Sequence, residues 1–142
     1  MLMSADKQAL AGRVVACKYW RWMPRMLAVC SLIDGARGII LDGADADSRV
    51  LMCDADPATN PSTRDRISPI NYLPDLDDPA TLGCLLALVR AAWHCPGLTT
   101  YLRDDGWRVA RGRTAVDAAR TYQVDASTTE AAALVAALEA AP

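Results

Sequence analysis

Apolar positions along this 142-residue chain recur in two rhythms, one helical and one strand-like, and the changes between them mark the elements. Leu10, Val14 and Cys17 fall at helical spacing behind Ser4, a good N-cap, and Asp6 sits near the positive end of the resulting dipole. A first helix is predicted there, weakened by Gly12. Pro24 forbids its smooth continuation and biases Met23 toward extended backbone, so "CKYWRWMPRM" (17–26) reads as a helix-to-strand joint. Three short apolar runs follow, "MLAVCSLI", "GIILD" and "RVLMCD", separated by polar stretches rich in Asp and Gly, and they predict an antiparallel meander.

Residues 54–76 then break the rhythm with four prolines, scattered charge and no sustained period, which predicts a long Pro-rich loop. Loops of that kind often face partners, and Arg64, Arg66 and Tyr72 are its candidate contacts. The alternative is a packed crossing loop anchored by Ile70, Tyr72 and Leu73. "DDPATLGCLLALVRAAWH" is the clearest helix: Asp78 caps it, Pro79 takes the first position, and Leu82, Leu85, Leu86, Val89 and Trp93 form a stripe ended by Pro96 and Gly97. "LTTYLRDDGWRVAR" reads as a second hairpin around Asp105 and Gly106, with Trp107 and Val109 on one face and Arg108 on the other. Tyr122 and Val124 are candidates for a last strand. "STTEAAALVAALEAA" closes with an amphipathic helix that a Ser127-to-Glu130 capping box would open.

The order helix, three strands, helix, two or three strands, helix predicts a single α+β domain over residues 1–142: an antiparallel sheet of about five strands with three packed helices. A composition of 52% hydrophobic and 23% charged residues fits a folded globular chain. Phenylalanine is absent, so Trp20, Trp22, Trp93 and Trp107 must supply most of the large aromatic volume. The opening residues lack a signal-peptide pattern and no apolar run is long enough to span a bilayer, so a cytoplasmic chain is expected, with no membrane partner. Five dispersed cysteines without a CxxC pair suit free thiols in a reducing compartment.

The candidate chemistry is sparse. The lone histidine, His94, adjoins Cys95, but a Cys/His nucleophile needs a geometry that adjacency does not guarantee, and a helix-capping role is preferred. One His and scattered Cys give no zinc spacing, and Asp42, Asp45, Asp47, Asp54 and Asp56 lack the glycine and glutamate of a calcium loop. No enzyme activity, metal or cofactor is expected. A net charge of −2 argues against generic nucleic-acid binding. Two groups remain as candidate ligand contacts: Lys18, Trp20, Arg21, Trp22 and Arg25, and Trp107, Arg108, Arg111 and Arg113. Guanidinium and ammonium groups hold phosphates and indoles stack on bases, so together they suit a nucleotide. The alternative is tryptophans that roof the core with arginines along their edges.

Four stretches, "YWRWMPRM", "LPDLDDPATLGCLLALVRAAW", "GWRV" and "TEAAALVAALEAAP", resemble a group of small uncharacterised tailed-phage and prophage proteins. That group shares a WxxMPxM opening, an LPDLxDPATLGCLLALVRxAW helix and a TEAEALVAALEAA ending. Arg25 departs from the pattern, where glycine is expected in the turn. The resemblance implies a context and no catalytic residues. In that context the chain is expected to be a non-enzymatic phage accessory protein of the host bacterial cytoplasm, of the counter-defence kind. It would act by occluding a host defence protein or by sequestering a nucleotide second messenger. The competing expectation is a structural or regulatory phage module that forms homo-oligomers or binds another phage protein.

Overall fold

The computed structural model describes residues 3–30, 37–40, 72–111 and 126–142, together with the backbone of 49–52 and 64–66. The chain is α+β, in the order helix, strands, helix, strands, helix. Helix α1 (Ala5–Ala16) is capped by the Ser4 side chain, which accepts from the Lys7 N–H. Strands β1 (Leu27–Cys30), β2 (Arg37–Ile40), β3 (Arg49–Met52), β4 (Arg64–Arg66) and β5 (Tyr72–Pro74) follow. They form one antiparallel sheet in the order β4-β3-β2-β1-β5. Helix α2 (Pro79–Ala92) then leads to a hairpin of β6 (Leu98–Arg103) and β7 (Gly106–Arg111), and helix α3 (Glu130–Glu139) closes the described chain.

Two details of the strand count differ from the sequence reading. The stretch expected to be a loop, 54–76, contributes β4 and β5, and the later hairpin forms its own two-stranded sheet. β4 and β5 are each only three residues long, too short to show alternation. β5 is nonetheless drawn to the edge of the sheet beside β1, because burying Tyr72 there completes the core. Pro74 is tolerated because the strand is an edge. The hairpin turn is Asp104–Asp105, since Arg103 pairs with Gly106. The segment around Tyr122 and Val124 lies outside the described residues.

One apolar core joins α1, α2, α3, β1, β2, β5, β6 and β7, with Val14, Met26, Leu85, Leu98, Leu134 and Leu138 among its fully enclosed side chains. α3 is the hub, touching α1, α2, β6 and β7. Its N-cap is Thr129, whose hydroxyl accepts from the Ala132 N–H at 3.1 Å. Ser127 does not form the expected capping box because its backbone is engaged elsewhere, exchanging two hydrogen bonds with Trp107.

Candidate functional site

After α1 the chain crosses to the sheet through residues 17–26, and α2 forms the wall beside that crossing. Cys17 closes α1, and the Trp20 N–H donates back to the Cys17 carbonyl at 3.0 Å. Further on, the Cys84 thiol on α2 approaches the Pro24 carbonyl at 3.8 Å. Burial, followed by the nearby Asp78 charge, pushes that thiol above its ordinary pKa, so it stays protonated and unreactive.

Met23–Met26 forms a tight turn, closed by the Met26 N–H on the Met23 carbonyl at 3.2 Å. Pro24 precedes Arg25, which has a φ of 75°. Proline followed by a positive-φ residue is the signature of a type II turn. The same feature recurs at the end of α2. His94 has a φ of 51°, its N–H bonds to Ala91, and the Cys95 N–H bonds back to Arg90. That pair of bonds is a Schellman cap with histidine where glycine is usual. Left-handed backbone costs an L-residue about 1–2 kcal/mol relative to its ordinary regions.

At the His94 end lies a groove of roughly 340 Å³, lined by Lys18, Tyr19, Trp20, Arg21, Leu88, Ala91, Ala92 and His94. Lys18 and Arg21 are exposed, and the Lys18 ammonium rests 4.7 Å from the centre of the Tyr19 ring. Trp20 is half-buried and its enclosed Nε1–H has no acceptor among the described residues. Its ring meets Trp22 edge-to-face, with centroids 5.4 Å apart at 74°. Among the described residues no carboxylate lines this groove. It therefore offers two exposed cations, an imidazole and aromatic faces, a set that suits an anion carrying a ring.

A larger groove of roughly 500 Å³ lies between α1, the β5–α2 connection and the start of α3. Its cations are already engaged, Lys7 with Asp77 and Arg13 with Glu139 at 2.6 Å, so it presents no uncompensated positive charge. We favour the smaller groove on that ground. Elsewhere, Arg108 on β7 pairs with Asp105, which holds the Asp105 carboxyl below its ordinary range.

The candidate residues named from the sequence thus separate. Lys18, Trp20 and Arg21 share the groove, and Arg25 is exposed farther along the same crossing. Trp22 is buried in the core. Trp107, Arg108 and Arg111 lie on β7, and none of them lines the groove that holds Lys18, Trp20 and Arg21. Arg113 lies outside the described residues, as do the five aspartates weighed as a calcium loop. Arg64 and Arg66 fall on β4, paired with Leu51 and Arg49. Tyr72 is a core residue and not a partner-facing one, because β5 turns it inward opposite Cys30.

His94 is the groove residue that the sequence reading assigned to capping alone. No local signal links it to Lys18, more than seventy positions earlier; only the packing of the crossing on α2 does. Cys95 beside it is buried while His94 is exposed, which separates the thiol from the imidazole. Among the described residues no cluster of His, Cys, Asp or Glu is arranged to hold a metal ion, and no helix is long and apolar enough to cross a membrane. Comparison with known proteins yields no family model, no curated protein and no solved structure that matches this chain.

Proposed function

We propose that this chain is a non-enzymatic binding protein that captures a small phosphorylated anion of the nucleotide class in the groove between residues 18–21 and the end of α2. One observation carries the reading: Lys18, Arg21 and His94 line one groove together with the Tyr19 and Trp20 rings, and no carboxylate among the described residues lines it. Phosphate oxygens accept from such donors, and the Tyr19 and Trp20 rings supply faces for a base. A chain with a net charge of −2 is poorly suited to long polyanions, and a small ligand engages the local charge alone.

In the phage setting implied by the sequence resemblance, such capture is a counter-defence activity in the host cytoplasm: a nucleotide alarm signal is withdrawn before it reaches its receptor. The test is isothermal calorimetry and thermal shift with cyclic di- and trinucleotides, linear oligoadenylates and ADP-ribose. At least one should bind, with affinity falling as salt rises and at least ~10-fold weaker binding in Arg21→Ala, the loss expected of a charge-assisted contact. Silence across the panel in both measurements sinks the reading.

A further inference from the structure

Arg25 and His94 are the positive-φ residues other than glycine among the described residues, and both are exposed. Glycine adopts that backbone without penalty, and it is the usual residue at the third position of a type II turn and after a Schellman cap. The backbone bonds made there, Arg25 N–H to the Ile40 carbonyl at 2.8 Å and His94 N–H to the Ala91 carbonyl at 3.1 Å, are ones that glycine would form equally well. Neither side chain makes a hydrogen bond or ion pair among the described residues. Among the described residues neither side chain thus offsets its backbone strain by a contact within the fold, and strain retained in this way points to side chains that act on something else.

Their placement says what that something is. Arg25 follows Pro24, which lies against Cys84, and His94 ends the same helix ten residues on. At 1.5 Å per residue the two ends of this strip stand about 15 Å apart. Arg21 and Lys18 lie along the same crossing and share the groove with His94, and Ala91 on this stretch of α2 is small and exposed, which leaves it open to close approach. A single phosphate reaches one end only.

We infer that Arg25 and His94 are ligand contacts at opposite ends of one binding strip, and that the ligand is a short phosphorylated oligonucleotide laid along α2. This rests on the binding reading above and adds the ligand's length and two contacts. The test uses the full chain with Arg25→Gly, His94→Gly and the double variant. Melting temperature is followed by calorimetry, and affinity is measured for a 5′-phosphorylated trinucleotide, a mononucleotide and a short polyglutamate.

Each glycine should raise the melting temperature by ~2–4 °C, the shift expected when one strained residue is relieved in a chain of this size. Each should also weaken trinucleotide binding at least ~5-fold, the double variant more than either. The mononucleotide should bind the original chain more weakly than the trinucleotide and be less sensitive to Arg25→Gly. Glycine variants that gain stability and keep full affinity overturn the inference, as do variants that lose stability, because the side chains then serve the fold. Equal binding of mononucleotide and trinucleotide overturns the elongated ligand, and equal binding of polyglutamate overturns its chemical class. In each of these cases the groove reading survives if Arg21→Ala still weakens binding; loss of all anion binding by the original chain removes that reading instead.

Discussion

Thr81 is the polar side chain enclosed in the core among the described residues, and its hydroxyl is used twice. It accepts from the Leu27 N–H at 2.9 Å and donates to the Asp78 carboxylate at 2.8 Å, which also caps α2 through the Thr81 N–H. One residue thus ties the start of α2 to the first residue of β1. Replacing it by valine keeps the volume and leaves the Leu27 N–H without its partner, so Thr81→Val should cost about 1–3 kcal/mol in urea denaturation. A change below a few tenths would mean that water satisfies Leu27. The Asp78 cap is legible in "DDPAT" because capping is a three-residue matter. The bond to Leu27 is not, because it joins positions 54 apart in the chain.

At the scale of elements, the helices were legible and the short strands were not. Ser4 and Asp78 cap as their spacing predicts, since side chain and backbone partner lie within one turn. β4 and β5 have no periodicity to read at three residues each, and their pairing is decided by neighbours that are distant in sequence. Gly106 shows the same division. Its place near a turn suggests the conformational freedom that its φ of 125° requires, yet a Cβ there would also stand 2.6 Å from the Ser127 carbonyl oxygen. That close approach is the bridge joining β7 to the lead-in of α3. Gly106→Ala should therefore destabilise by about 1–3 kcal/mol from backbone strain alone, and faster hydrogen exchange at the Trp107 and Ser127 amides should accompany it. An unchanged melting point with unchanged protection of those amides would show that the bridge relaxes at no cost.

Across the whole molecule, the two sheets share no ladder among the described residues, and the helical layer unites them. α3 reaches α1 through the Arg13–Glu139 pair and α2 through the Trp93 Nε1–H on the Ala137 carbonyl at 2.8 Å, while Leu134 and Leu138 fill the space between. The exposed ion pair adds little to stability, and the enclosed leucines carry the connection. Leu134→Ala should cost about 2–5 kcal/mol, and the midpoints from far-ultraviolet circular dichroism and tryptophan fluorescence should fall together. Separated midpoints would show that the hairpin melts apart from the rest.

By itself the sequence determined the α+β class, the three helices with two of their caps, and the aromatic joint broken by Pro24, all of which rest on interactions spanning a few residues. Only the tertiary structure decided that Trp22 faces the core, that Tyr72 belongs to an edge strand, and that Arg108 and Arg111 on β7 do not line the groove of Lys18 and Arg21. It also decided that His94 lines the same groove as Lys18 and Arg21, because α2 must pack along the crossing for residues so far apart to meet. Neighbourhood across a packed interface is set by burial and shape summed over the fold, and no local pattern of side chains encodes it.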